Sequence, residues 1–123
     1  MENSMTTKEI IQKFYDLIER KEDWQDLIAD EMEFVSDGKT THTKKEYVEP
    51  KMRFIQLVKS LKIHELIVEG NKACISVEYD LKLPSGKALN CEITEILMLK
   101  DNRINSSCIF FNTESFSSLI AQG

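Results

Sequence analysis

The sequence has few residues that interrupt regular structure, with four glycines and two prolines among its 123 residues. This scarcity argues against collagen-like and glycine- or proline-rich disordered chains. A hydrophobic fraction of 41% and a charged fraction of 30% are instead typical of a globular protein. A chain of this length usually forms one domain, so we expect a single domain over residues 1–123.

Positive charge is scarce and scattered. The 16 lysines and arginines are outnumbered by 21 acidic residues, and no basic stretch could follow a phosphate backbone. No apolar run approaches the roughly 20 residues that cross a bilayer. The polar start MENSMTTKEI does not resemble a secretory signal. We therefore expect neither a nucleic-acid partner nor a membrane partner, and a cytoplasmic location.

Motifs for metals, cofactors and disulfides are also missing. The three cysteines, Cys74, Cys91 and Cys108, are odd in number and follow no export signal, so we expect free thiols. No CxxC pair or His/Cys cluster has the spacing of metal ligands. The glycine-rich nucleotide loops and the GxSxG motif of serine hydrolases do not occur. We expect no metal and no cofactor.

Two capping boxes predict where helices begin. TTKE at 6–9 and TKKE at 43–46 each precede apolar residues at helical spacing. Pro50 interrupts the second stretch, so that helix either kinks there or a new helix starts there. Between the two, Trp24 suits a short helix, and residues 31–36 suit a strand.

After residue 61 the apolar spacing changes to that of strands. Turn signals at 70–71, 84–86 and 101–102 predict a four-stranded antiparallel meander over roughly 62–69, 72–83, 87–100 and 103–113. The turn lengths give three registers, in which Glu69 pairs with Lys72, Leu83 with Lys87, and Lys100 with Arg103. Together these registers keep most apolar side chains on one face, which should pack on the helices.

Glu95, in the stretch CEITEILML, is the acidic exception on this apolar face. The registers place it between Ile75 and Cys108, the latter expected to be a small buried hydrophobe. Apolar surroundings disfavour the ionised form, and a neutral carboxyl group can donate a hydrogen bond to a carbonyl or act as a general acid. Two alternatives remain: a bulge turns Glu95 outward, or Glu95 pairs with a buried helix residue.

The opposite face of the predicted sheet is mainly polar and should meet solvent. A few apolar side chains interrupt it and could contact another subunit. These residues are Ile67, Ile96, Met98, Ile109 and Phe111.

The order of elements resembles the nuclear transport factor 2-like superfamily, and within it the SnoaL-like branch, relatives of polyketide cyclases and ketosteroid isomerase. The resemblance rests on KEIIQKFYDLIERKEDWQDLIADEMEFVSDG and RINSSCIFFNTESF. It implies a cone-shaped α+β fold, in which N-terminal helices pack on a strongly curved, mainly antiparallel sheet. It also implies a pocket between sheet and helices, and a homodimer through the outer sheet face. The family uses this pocket for several chemistries and for protein binding, so fold alone leaves function open.

The ketosteroid isomerase pattern carries over in part. Glu95 falls where that enzyme keeps a protonated acid that donates a hydrogen bond, provided the following turn is one residue shorter. Phe14 falls at the oxyanion tyrosine, with Tyr15 one residue away. Ser36 falls at the proton-shuttling base, with Asp37 one residue away. Two of the three positions therefore depart from the pattern.

The candidate catalytic residues are Glu95, Asp37 and Tyr15. Asp37 precedes Gly38 and could equally form an ordinary turn, and Tyr15 could be a core-edge residue with its tip in water. His64 could bind ligand or lie exposed near the start of its strand. The candidate ligand contacts are His64, Tyr79, Asn112, Trp24, Phe34 and Phe54.

Three functions fit the sequence. The first is an enzyme without a cofactor that performs acid/base chemistry on a small, mostly apolar carbonyl compound. The second is a non-catalytic module that binds such a molecule. The third is a protein-interaction or dimer scaffold whose core is filled, and this function predicts no cavity.

Overall fold

A computed structural model describes residues 5–111 of the chain. Two helices pack on a six-stranded sheet with the order β2-β1-β6-β5-β4-β3. Strand β1 runs parallel to β6, and all other neighbours are antiparallel. The predicted α+β class with a mainly antiparallel sheet is confirmed. In chain order the elements are α1 (Thr7–Arg20), a 3₁₀ helix (Trp24–Leu27), β1 (Ile28–Ser36), β2 (Lys39–Thr41), α2 (Lys44–Leu57), β3 (Val58–Glu69), β4 (Lys72–Lys82), β5 (Ala88–Lys100) and β6 (Arg103–Phe110).

Both predicted helix starts are confirmed. At α1 the hydroxyl of Thr6 accepts from the backbone N–H of Glu9, and the Glu9 carboxylate accepts from the backbone N–H of Thr6. Thr43 and Glu46 form the same reciprocal pair at α2. Each cap satisfies N–H groups that have no partner within the helix, which is typically worth about 1 kcal/mol.

Helix α2 continues through Pro50, so a new helix does not start there. Proline has no N–H to donate to the carbonyl four residues earlier, and the helix tolerates this loss. The helix ends at Leu57, and β3 begins at Val58, four residues earlier than the pattern predicts.

The three predicted hairpins are confirmed. Glu69 pairs with Lys72 and Lys100 with Arg103, and the backbone N–H of Leu83 donates to the carbonyl of Lys87. The sequence did not indicate β2, nor the parallel pairing of β1 with β6, which joins segments about 70 residues apart in the chain.

A bulge in β3 moves His64 off the predicted face. Ile63 pairs with Val77 and Glu65 pairs with Ser76, which leaves His64 as the extra residue. The imidazole contacts Glu78, on the outer face of β4. The prediction that His64 lies on the apolar face is therefore wrong.

A second bulge, in β6, exchanges the faces of the residues that follow it. Leu99 pairs with Ile104 and Met98 pairs with Ser106, so Asn105 is the extra residue. Beyond it the predicted faces are wrong. The inner face receives Ser107, Ile109 and Phe111, and the outer face receives Cys108 and Phe110.

The core lies between the helices and the inner face of the sheet. On the outer face, Ile67 and Phe110 are exposed, so the predicted homodimer through this face remains a prediction. The three cysteines are free thiols, as expected. Within residues 5–111, neither helix is long and apolar enough to cross a membrane.

Candidate functional site

Glu95 is a buried carboxyl group, 2% exposed, on the inner face of β5. Its neighbours are Ile75 on β4 and Ile109 on β6. The prediction that Cys108 neighbours Glu95 is wrong, because the bulge at Asn105 turns Cys108 outward. The alternative that a bulge turns Glu95 outward is wrong, because the β4–β5 pairing contains no bulge. The alternative that Glu95 pairs with a buried helix residue is confirmed, because the partner is Tyr15 of α1.

Two buried hydroxyl groups donate to this carboxyl group. The Tyr15 hydroxyl, from α1, lies 2.5 Å from Oε1, and the Ser107 hydroxyl, from β6, lies 2.6 Å from Oε2. Each oxygen therefore accepts one hydrogen bond, which offsets part of the cost of removing a carboxylate from water. The alternative that the tip of Tyr15 lies in water is wrong.

Three buried tyrosines surround Glu95. Burial raises the pKa of Tyr15, Tyr47 and Tyr79 well above the ordinary value of 10.0, and the charge of Glu95 raises each pKa further. All three hydroxyls therefore keep their protons in neutral solution and are able to donate hydrogen bonds.

The hydroxyl of Tyr47 is the unusual member of this group. Its side chain is 1% exposed, yet the hydroxyl has no hydrogen-bond partner among the described residues. It lies near Ser107 and Glu95 without reaching hydrogen-bond geometry with either. A buried donor without an acceptor is costly. Because the Tyr47 residue also lines a cavity beside Glu95, a ligand there could supply the acceptor.

A cavity of about 200 Å³ lies beside Glu95 and Tyr47, between α2 and the sheet. An apolar cavity of about 150 Å³ can hold benzene, so this one can hold a compound with one ring and a substituent. Its lining is mainly apolar and consists of Phe34, Ser36, Tyr47, Pro50, Lys51, Phe54, Tyr79, Ile93, Glu95, Ile109 and Phe111.

Among residues 5–111, Lys51 is the one cationic residue that lines the cavity. Its Nζ lies 5.4 Å from the ring centre of Phe14 and 5.5 Å from that of Tyr47. The ion pairs found among the described residues do not include it. Tyr47, Lys51 and Phe54 are four and three residues apart on α2, so they share one helix face.

The structure brings only some of the predicted site residues together. The cavity is lined by Glu95 together with Phe34, Phe54 and Tyr79. Tyr15 does not line the cavity but donates a hydrogen bond to Glu95. Ser36 lines the cavity, whereas Asp37 is exposed in the turn between β1 and β2, with φ of 52°.

The remaining predicted residues lie elsewhere. Trp24 packs against Phe14 in the core, with ring centres 6.4 Å apart, and does not line the cavity. His64 lies on the outer face. Asn112 lies outside the described residues.

Sequence reasoning missed the roles of Ser107 and Lys51. The predicted register that pairs Lys100 with Arg103 contains no bulge and would place Ser107 on the outer face, whereas the bulge at Asn105 turns Ser107 inward. Lys51 could have been found, because it precedes Phe54, a predicted ligand contact, by three residues and therefore shares its helix face.

His64, Glu78 and Glu92 form the one group among residues 5–111 whose ligand atoms could hold a metal ion, all within 4.8 Å of one another. The group lies on the outer face, away from the cavity. His64 Nε2 is already 2.6 Å from Glu78 Oε1. The prediction that the chain binds no metal remains a prediction.

Replacing His64 with alanine should raise the pKa of Glu78. In the native chain that pKa is lowered, first by the hydrogen bond with His64 and then by the one from Asn90. A lowered pKa stabilises the fold above the unfolded pKa, and this contribution is lost as pH falls through the folded pKa. The variant should therefore lose less stability than the native chain over that acidic range.

Carbon-13 NMR titration of the glutamate carboxyl groups measures this shift directly. His42→Ala, at the other histidine of the chain, is the matched control and should leave the Glu78 titration unchanged. An identical Glu78 titration in the native chain and His64→Ala would contradict the assignment.

Comparison with solved structures identifies the fold. No protein-family model matches the sequence, and neither does any curated protein sequence. An NTF2-like protein from Burkholderia thailandensis E264 is 17% identical, with a TM-score of 0.78 over 95% of this chain and 98% of that one. A proposed SnoaL-like polyketide cyclase from Jannaschia sp. CCS1 is 11% identical, with a TM-score of 0.78 over 96% and 95%. TerC, co-crystallised with polyporic acid, is 14% identical, with a TM-score of 0.75 over 94% and 98%.

The chain therefore has the nuclear transport factor 2-like fold, as the sequence resemblance implied, and a SnoaL-like protein is among its structural neighbours. At these identities the comparison shows the fold, and the ligand and the chemistry have to be argued from the site.

Proposed function

We propose that the chain binds a small, mostly apolar carbonyl compound in this cavity and moves a proton next to the carbonyl group. The observation that carries the proposal is a buried carboxyl group and a buried, unpartnered hydroxyl in the wall of one apolar cavity. The co-crystal of TerC, which shares the fold, with polyporic acid supports a small-molecule ligand.

The two groups have complementary roles. Tyr47 donates its free hydrogen bond to the carbonyl oxygen. Glu95, as a carboxylate, takes a proton from the adjacent carbon. The electron pair of that C–H bond forms an enolate, whose oxygen charge the Tyr47 hydroxyl stabilises. The proton then returns from Glu95 to carbon, so the step needs no cofactor.

Tyr15 and Ser107 act through Glu95 and are positioning residues. Each holds one carboxyl oxygen, at 2.5 Å and 2.6 Å, and so fixes the direction in which the carboxylate faces. Asp37 has no part in this proposal, because it does not line the cavity. Steroid isomerisation is not proposed, because Phe14 is buried in the core and Ser36 is not an acid or base of useful strength.

A second candidate function is binding without chemistry. It is favoured by the two hydrogen bonds that Glu95 already accepts, which satisfy one site on each of its oxygens. The described residues leave a cavity, which argues against the third function, a scaffold with a filled core.

Proton exchange on a simple ketone separates the two functions. We expect the native chain to speed the replacement of the α-hydrogens of 2-indanone by deuterium in D₂O, followed by proton NMR. This ketone is one benzene ring with a three-carbon bridge as its substituent, so its size suits the cavity of about 200 Å³. Glu95→Gln should lower the protein-dependent rate about 100-fold, since a positioned base usually contributes at least that much. The isosteric variant should still bind 2-indanone.

Glu92→Gln is the matched control, because Glu92 lies on the same strand but on the exposed outer face. It should exchange 2-indanone at the native rate. Binding of 2-indanone in the cavity without exchange above buffer would favour the non-catalytic function. Absence of binding would contradict both.

A further inference from the structure

We propose that Lys51 is an anion subsite of the cavity, so that its ligand is a one-ring compound bearing a carboxylate. This inference rests on the proposed function, because it names the class of molecule that the same cavity takes. It adds a charged group at a defined place in the lining.

Lys51 contacts aromatic rings and has no anionic partner among the described residues. Lys51 is half-buried, and its ammonium nitrogen lies 5.4 Å and 5.5 Å from the ring centres of Phe14 and Tyr47. Ring faces attract a cation but give it no hydrogen-bond acceptor. No carboxylate of the described residues lies within ion-pair distance of Nζ, so among these residues the ammonium group has no anionic partner that a ligand would have to displace.

Glu95 does not form an ion pair with Lys51. Its two oxygens already accept hydrogen bonds from Tyr15 and Ser107, which hold the carboxylate at the sheet while Lys51 lies on α2. The two charges of the lining are therefore held on different elements, and a ligand between them meets a cation on one wall.

The free hydroxyl of Tyr47 is the second, independent observation. It is buried, has no acceptor among residues 5–111, and belongs to a residue one helical turn before Lys51 on the same face of α2. Together the two groups offer a donor to one oxygen of a ligand and a cation to an anionic group nearby. The rings of Phe34, Phe54 and Tyr79 complete an apolar space for the body of the molecule.

The size and the donors of the site favour a carboxylate over a phosphate. A cavity of about 200 Å³ has little room beyond one ring and its substituents. A phosphate monoester carries more charge and more acceptor oxygens, and it is usually bound by several donors such as arginine forks. The part of the lining formed by the described residues contains one lysine and no arginine.

A matched pair of probes tests the subsite. Benzoate and benzamide have nearly the same shape and differ in charge. We expect the native chain to bind benzoate about tenfold more tightly than benzamide, measured by calorimetry at low salt, with nitrogen-15 NMR shifts to place both at Ile93 and Ile109. In Lys51→Met the preference should fall below about twofold, because the thioether keeps the contacts with the rings but has no charge.

Lys45→Met is the control, because Lys45 is exposed on the same helix and the substitution removes the same charge. It should keep the tenfold preference. Lys51→Gln serves as a second neutral variant should the methionine variant not fold, and the preference should be lost there too. Equal affinity of the native chain for both probes, or a preference that persists without Lys51, overturns the subsite.

These measurements distinguish a failure of the Lys51 subsite from a failure of the proposed function. If 2-indanone and benzamide bind but benzoate has no advantage, the subsite is wrong and the cavity still binds neutral compounds. If none of the three binds, both proposals are wrong.

Discussion

The double variant Tyr15→Phe/Ser107→Ala should unfold with a free energy about 3 kcal/mol lower than that of the native chain, because a hydrogen bond to a buried charge is worth more than a neutral one. Both hydroxyls donate to Glu95, and Glu95 is 2% exposed, so water cannot readily replace them. The loss should appear in urea unfolding as a lower midpoint with an unchanged slope.

Two controls isolate the carboxylate as the cause. Tyr79→Phe removes a hydroxyl that is also buried beside Glu95 but does not hydrogen-bond to it, and it should cost less than about 1 kcal/mol. In a Glu95→Leu background the double variant should add much less destabilisation, because no carboxylate is left without donors. A full loss in that background would mean that packing, and not the hydrogen bonds, is responsible.

Replacing Tyr47 with phenylalanine should instead stabilise the empty protein while it weakens binding. The Tyr47 hydroxyl is buried and has no partner in the described part of the chain, and removing such a group should raise the free energy of unfolding by about 1 kcal/mol. The same variant should bind 2-indanone about tenfold more weakly, because the carbonyl loses its donor.

Tyr47→Phe and Tyr15→Phe should change the free energy of unfolding in opposite directions. Tyr15→Phe is the same substitution at a neighbouring buried tyrosine, and it should destabilise the protein. Urea unfolding of both variants, with calorimetric titration of 2-indanone, measures both effects. If Tyr47→Phe destabilises the protein as much as Tyr15→Phe does, the Tyr47 hydroxyl already has a partner in the folded chain.

Local signals in the sequence were sufficient for much of the fold. The capping boxes at Thr6 and Thr43 act within one helical turn, and the hairpin turns act within two to three residues. Each can therefore be recognised without knowing what the rest of the chain does. The inner-face position of Glu95 followed from the β4–β5 hairpin, whose pairing contains no bulge.

The parts that failed depend on contacts between distant segments. The pairing of β1 with β6 joins residues far apart in the chain, and no turn fixes its register. The bulges at His64 and Asn105 have no fixed residue type, so an alternating pattern hides them. Ser107 reaches Glu95 only because of the second bulge, and the Tyr15 contact spans 80 residues.

Because of the bulge at Asn105, either of two sets of β6 side chains could face the cavity, depending on the register of the strand. With the extra residue accommodated, the strand presents Ser107, Ile109 and Phe111 to the cavity. A straight strand in the register expected from the turn would present Ser106, Cys108 and Phe110 instead. A one-residue slip would thus place Cys108 instead of Ile109 opposite Glu95 and would exchange the other β6 residues that face the cavity in the same step. The register of β6, more than its individual side chains, therefore determines which residues line the cavity.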